Sequence, residues 1–246
     1  MPEESRNSAA RRGSYDAIAP IYDAWSRSVR EDIDFYVDEA KRSGGPVIEL
    51  GVGTGRIAIP IAKARVDVIG VDSSEGMLAV ARAAAAAEGV ADRLDLRAGD
   101  LRDPPVEGPV PLVICPFRAF LHLQTDAERI DALSTIHSLL HPGARFIFDV
   151  FTPAQDDIEE THGRWIEREP GIFERADWDT GSRTLTLSVK GPGGQTTMLL
   201  AWLAVVEWRM LLQKSGFEVE ACYGWFDRRP YAGGEDSIWM ARRPTV

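Results

Sequence analysis

The chain has 246 residues, 44% of them hydrophobic and 27% charged, with a formal net charge of −10. That balance can bury a sizeable core and excludes wholesale disorder. The acidic total argues against duplex nucleic acid, which asks for a basic face, and no apolar run approaches the roughly 18 residues of a membrane span.

Residues 1–14 hold no apolar stretch, and Arg11-Arg12 lacks the hydrophobic segment that a twin-arginine signal needs. A disordered leader on a cytoplasmic protein is the expectation. From residue 29 to 42 the apolar positions recur at helical spacing, and Ser43-Gly44-Gly45-Pro46 ends the helix. A strand at 47–50 then enters a glycine loop and a helix at 56–64. Strands at 66–71, 94–98, 112–115 and 145–151 alternate with helices at 75–88 and 126–140. Strands separated by helices predict βαβ units and a mainly parallel sheet. The strands are apolar runs without alternation, as in a sheet covered on both faces.

The pattern changes after 151. Residues 164–169, 172–178 and 183–190 read as antiparallel strands, 198–214 as a strongly apolar helix, and 217–223 and 238–241 as closing strands. The prediction is one α/β domain over 1–246: a Rossmann-like, doubly wound, mainly parallel seven-stranded sheet with an antiparallel β insertion near the C-terminal half. Within it, 15–151 form a cofactor-binding half, 152–197 a substrate cover or a dimerising arm, and 198–246 the C-terminal helix and last strands. An exposed antiparallel insertion can also pair edge to edge in a homodimer. Cys115 and Cys222 fit no zinc or CxxC spacing, so no metal site is expected and the thiols are read as reduced.

Glu49-Leu50-Gly51-Val52-Gly53-Thr54-Gly55 joins the first strand to the first βα helix. Glycine allows a tight turn and close approach of a ligand to the backbone. Asp72 ends the second strand, at the distance from the loop where an acid accepts bonds from ribose hydroxyls. A dinucleotide loop starting at Gly51 would need glycine or alanine where Arg56 stands, and no Gly-Lys-Ser/Thr of a P-loop follows. The spacing favours a nucleoside without a pyrophosphate.

Five segments in order carry a resemblance. VIELGVGTG, VIGVDSSEGML (68–78), AGDLRD (98–103), LVICPFRAFLHL (112–123) and LLHPGARFIFDVF (139–151) resemble the successive motifs of class I S-adenosylmethionine-dependent methyltransferases of the small-molecule type. The resemblance implies S-adenosyl-L-methionine as cofactor and a set of roles. Gly51 and Gly53 line the methionine and ribose, and Glu49 orders the loop and orients the methionine ammonium through water. Asp72 holds the ribose, Ser73 and Met77 flank the adenine, Asp100 accepts from its amino group, and Leu101 packs on the ring. Cys115 contributes backbone contacts near the methionine. For Met77 and Leu101, ordinary core packing is the competing account.

Methyl transfer from a sulfonium is an in-line displacement that needs alignment, exclusion of water and, for a protonated acceptor, a base. Tyr15-Asp16-Ala17-Ile18-Ala19-Pro20-Ile21-Tyr22-Asp23 resembles the YDxxAxxYD segment that folds over the cofactor. Tyr22 first, and Tyr15 second, can set an aromatic ring or a phenol beside the sulfonium or the methionine carboxylate. His122 is the candidate base, since imidazole titrates near neutral pH and a histidine occupies this place in similar sugar N-methyltransferases. Arg118 can bind an acidic acceptor or the cofactor carboxylate, with a surface salt bridge as the competing account, and Trp165, Trp178 and Trp225 can line the acceptor pocket. Cys115-Pro116-Phe117-Arg118 stands where base amino-methylases carry Asn/Asp-Pro-Pro-Tyr. The expectation is therefore an enzyme with a small-molecule acceptor and an N or O nucleophile. A nucleic-acid or protein methyltransferase and a non-catalytic cofactor-binding module are the alternatives.

Overall fold

In the computed structural model, which describes residues 15–26 and 30–245, the alternation of apolar runs and breaks becomes alternating strands and helices. The predicted leader lies outside the described residues. In chain order the elements are α1 (Tyr22–Trp25), α2 (Glu31–Ser43), β1 (Val47–Leu50), α3 (Ala58–Lys63), β2 (Val68–Asp72), α4 (Glu75–Ala87), β3 (Leu94–Ala98), β4 (Val110–Cys115) and α5 (Asp126–Leu139). Then follow β5 (Leu140–Phe151), α6 (Gln155–Thr161), β6 (Trp165–Glu169), β7 (Ile172–Asp179), β8 (Thr184–Gly191), β9 (Gly194–Ala201), α7 (Val205–Lys214), β10 (Glu218–Tyr223) and β11 (Asp236–Arg242).

Local chemistry sets several of these boundaries. The Ser74 hydroxyl accepts from the Met77 amide and starts α4. Thr125 and Glu128 form a reciprocal capping box at the start of α5. Gly44, at φ 77°, closes α2 in the left-handed region that L residues avoid.

Seven strands form one sheet in the order β10-β11-β5-β4-β1-β2-β3. The run from β3 to β5 is parallel, and β11 lies antiparallel to both β5 and β10. The architecture is Rossmann-like and doubly wound, and β1 is buried at every position because helices cover both faces. Ile48, Leu50, Val113, Phe146 and Trp208 belong to one core layer; Val47, Ile57, Ile61, Leu112 and Ile147 belong to the other. Among the described residues no helix is long and apolar enough to cross a membrane.

Four antiparallel strands, β6-β7-β8-β9, form the second sheet. Here the structure corrects the expectation of one helix over 198–214. Residues 194–201 are β9, which pairs with β8 from Gly191↔Gly194 to Thr184↔Ala201, and only Val205–Lys214 is helical. Met198 and Leu200 are buried while Thr197 and Leu199 are exposed, a two-residue period that an apolar run conceals. The helix begins where the Glu207 carboxylate accepts from the Ala204 amide at 2.8 Å. Trp202 therefore lies buried between strand and helix rather than on the helix. The insertion's sheet runs past residue 197, and α6 was not expected. Gln124 Nε2 donates to the Leu199 carbonyl (3.1 Å), tying the sheet to the segment after β4.

Candidate functional site

The carboxyl ends of the parallel strands open into a cleft of about 690 Å³. This is the crevice where α/β sheets place ligands. Its floor is the glycine loop and the ends of β2, β3 and β4. Its cover is the segment 15–26 together with the antiparallel sheet.

At the floor, Gly51 and Gly53 have φ of 74° and 56°. A Cβ built on Gly51 would lie 2.8 Å from the Ala119 Cβ, so only glycine lets this loop approach the segment after β4. The Gly51 and Val52 amides both donate to the Val71 carbonyl, at 2.8 and 3.0 Å. The Gly53 amide donates to Asp72 Oδ2 and the Ser74 amide to Asp72 Oδ1, each at 2.9 Å. Burial pushes the Asp72 carboxyl up, and the Ser74 and Gly53 amides oppose it. Each carboxylate oxygen keeps a further acceptor position, which suits a vicinal diol.

Glu49 and Cys115 are buried and do not line the cleft. Among the described residues Glu49 Oε2 has no hydrogen-bond partner, and burial raises its pKa well above the usual range, with Arg56 opposing. A buried acceptor left open behind a glycine loop fits a cationic or donor-bearing ligand. Arg56 itself is held by Asp32 in a two-pronged pair at 2.8 and 2.5 Å and lies 4.6 Å over the Phe117 ring. Ser73, Met77, Asp100 and Leu101 all line the cleft. Asp100 accepts from the Arg102 amide and Nε (both 2.9 Å) and from Nη2 (2.6 Å), which fixes the carboxylate's orientation.

Tyr15 and Tyr22 line the same cleft and meet edge to face at 5.9 Å. The two aspartates that follow them pin the segment, a role that sequence reasoning did not assign. Asp16 accepts from the Ser74 hydroxyl (2.5 Å) and the Gly76 amide (2.8 Å); Asp23 accepts from the Thr54 hydroxyl at 2.6 Å. The signal lay in the repeated Tyr-Asp pair. Tyr15 Oη and His122 Nε2 are hydrogen-bonded at 2.9 Å. Burial raises both phenols, so they stay protonated across the neutral range.

Beyond this pair the cleft turns apolar, with Phe151, Trp178, Leu185, Leu187, Met198 and Leu200 as walls. Its polar edge holds Asp157, Glu235, the Arg168–Glu174 pair (2.7 Å) and Arg118, which bonds Asp236 at 2.8 Å. Trp25 Nε1 donates to Glu174 Oε2 (2.8 Å) and joins the cover segment to the sheet. Trp178 is thus at the site, whereas Trp165, 4.1 Å beneath the Lys190 ammonium, and Trp225 are not among its lining residues. His162 Nδ1 accepts from the Trp178 amide at 3.0 Å and His137 packs on Phe217, both structural contacts.

The methyltransferase-domain family model matches residues 47–143, from β1 into β5. An uncharacterized methyltransferase of Geobacillus sp. (strain WCH70) is 31% identical over 168 residues, covering 67% of this chain and 74% of that protein. The chain spans 60% of the length of the first two curated relatives it matches. Among solved structures, the CcbJ methyltransferase of Streptomyces caelestis superposes with a TM-score of 0.80 at 26% identity, covering 95% of this chain and 99% of that one. The amino pentose methyltransferase CalS10 of Micromonospora echinaspora superposes at 0.66, with 21% identity over 91% and 96% of the two chains. With these similarities, and a glycine loop backed by the Asp72 carboxylate at the floor of the cleft, the chain belongs to the class I S-adenosylmethionine-dependent methyltransferases, whose cofactor is S-adenosylmethionine.

Proposed function

We propose that the protein transfers the methyl group of S-adenosylmethionine to a nitrogen or oxygen of a small-molecule acceptor. The cofactor lies over β1 to β3, and the acceptor lies between the Tyr15–His122 pair and the antiparallel sheet. The observation that carries this reading is the 2.9 Å Tyr15–His122 hydrogen bond in the wall between the two halves of the cleft. S-adenosylmethionine supplies an activated methyl on a sulfonium sulfur, which keeps the electron pair of the broken S–C bond.

The chain's own groups do the rest. Gly51, Gly53 and the backbone near Cys115 hold the methionine and ribose; Asp72 accepts from the ribose hydroxyls. Ser73, Met77 and Leu101 enclose the adenine, and Asp100 accepts from its amino group. Glu49, behind the glycine loop, orders that loop and orients the ammonium end through water, and Tyr22 sets its ring beside the sulfonium. The His122 imidazole takes the proton that the acceptor loses, and its Nε2 hydrogen bond to the Tyr15 hydroxyl, which has to open if Nε2 is the nitrogen protonated, holds the ring in place beforehand. The cleft's volume falls within the roughly 300–1,000 Å³ of small-molecule pockets. The amino pentose acceptor named for the Micromonospora neighbour is a small molecule too.

The test is a panel of amines and alcohols incubated with enzyme and S-adenosylmethionine, read by mass for an added methyl. Against the acceptor found, His122→Ala lowers kcat by about 10²-fold or more, the usual weight of a positioned base. The affinity for S-adenosylhomocysteine stays within roughly threefold, about 0.65 kcal/mol. A folded His122→Ala enzyme with undiminished turnover would remove the histidine from the chemistry.

A further inference from the structure

Asp149 stands near the carboxyl end of β5, buried, outside every role assigned so far. Its carboxylate accepts from the Phe117 amide at Oδ1 (2.9 Å) and the Arg118 amide at Oδ2 (3.1 Å). Those two residues are the adjacent non-glycine pair at φ 55° and 63°, a left-handed conformation that L residues leave unless something holds them. The Tyr36 hydroxyl of α2 adds a third bond to Oδ1 at 2.6 Å. The loop so gripped runs directly into the turn Ala119–His122. That turn presses Ala119 toward Gly51 and delivers His122 to Tyr15.

The geometry points to Asp149 as a positioning residue for methyl transfer: its carboxylate holds the loop after β4 in the shape that sets the His122 turn against the glycine loop. This rests on the cofactor reading of the cleft given above. The grip depends on ionisation, because a protonated carboxyl has an O–H where a backbone N–H must be accepted. The groups facing Asp149 are Tyr36 and Asp32 from α2, Cys115 from β4, Arg118 from the loop, and Arg56 beyond the glycine loop. Burial and then Asp32 raise the Asp149 pKa, while the Tyr36 hydroxyl, Arg118 and the Phe117 amide lower it, and the balance falls at about 6. The grip is therefore complete above that pH and fails as pH falls through it.

S-adenosylhomocysteine binding, measured by calorimetry from pH 5 to 8 on the full chain, tests this. Wild-type affinity is expected to fall below pH 6. Asp149→Asn binds about tenfold more weakly than wild type at pH 8 and loses the pH dependence. Tyr36→Phe keeps the carboxylate and both amides but removes a bond that favours ionisation. Its midpoint therefore moves up by roughly half a pH unit or more, a shift that a merely structural Asp149 would not produce. An Asp149→Asn protein that folds and binds like wild type overturns the proposal. So does a Tyr36→Phe midpoint equal to wild type's, which decides the matter if the asparagine variant does not fold. Wild-type protein that binds no S-adenosylhomocysteine at any pH removes the cofactor reading itself, and this inference with it.

Discussion

The approach of the glycine loop to the turn carrying His122 can be tested by adding a single methyl. At Gly51 the backbone has φ +74°, and a Cβ there would lie 2.8 Å from the Ala119 Cβ, where carbon atoms prefer about 3.5–4.0 Å. Gly51→Ala therefore carries two separable penalties. The left-handed backbone costs an L residue about 1–2 kcal/mol, and forcing the two methyls apart costs about 1–3 kcal/mol more. The expected loss of stability is roughly 2–5 kcal/mol, read by urea unfolding. The double variant Gly51→Ala/Ala119→Gly removes the steric part and leaves the conformational part. Ala119→Gly alone costs about 0.5–1 kcal/mol of backbone entropy. The double variant should thus be more stable than the two single losses predict, by about 1–3 kcal/mol of coupling. Strictly additive losses would mean that the loop and the turn do not bear on one another, and the account of how the cleft is shaped would fall.

Other expected outcomes follow from the same contacts. Asp72→Ala should weaken S-adenosylhomocysteine binding by about 1.5–3 kcal/mol, the worth of hydrogen bonds to a charged acceptor, and an unchanged dissociation constant would contradict its role at the ribose. Removing both anchors of the cover segment, Asp16→Ala/Asp23→Ala, frees the Ser74 and Thr54 hydroxyls and the Gly76 amide. Hydrogen exchange in residues 15–26 should accelerate and cofactor affinity fall about tenfold, near 1.4 kcal/mol; equal exchange would refute the anchoring. Asp149 has its folded pKa raised from 3.8 to about 6, so its protonated form favours the fold. That contribution is present in full below the ordinary carboxylate value and is lost as pH rises through about 6. Between pH 5 and 7.5 wild-type stability should fall by about 1.4 kcal/mol relative to Asp149→Asn. Urea midpoints whose difference does not change with pH would refute the assignment.

The parallel sheet was legible because its determinants are local. Apolar runs, capping residues such as Ser74 and Thr125, and glycines with required positive φ stand in sequence order, and the Gly51-to-Asp72 unit is one βαβ step. The boundary between β9 and α7 was not legible. Residues 198–214 form one apolar stretch, and what divides it is pairing with β8, a contact made by tertiary structure. The site divides in the same way. Asp72 and His122 could be placed at the cleft because each ends or follows a strand. Asp16, Asp23 and Asp149 act on partners 31 to 60 residues away, on Thr54, Ser74, Gly76, Phe117 and Arg118, and no periodicity carries that information. The Arg102 grip on Asp100 was written only two residues away, but it shows as a grip once the turn after β3 is folded.

The buried charges also explain why this end of the sheet is a site and not merely a core. Glu49, Asp72 and Asp149 all sit near the carboxyl ends of strands, and burial raises the pKa of each. Arg56 is the cation that lowers Glu49, yet it is already committed to Asp32. A fold selected for stability alone would replace such groups with hydrocarbon, because desolvated carboxylates weaken it. Two of them are instead fastened to backbone amides that shape the glycine loop and the loop after β4, while Glu49 keeps an oxygen without a partner among the described residues. Stability is thus given up at the carboxyl ends of the strands, where Asp72 and Asp149 shape the two loops that line the cleft.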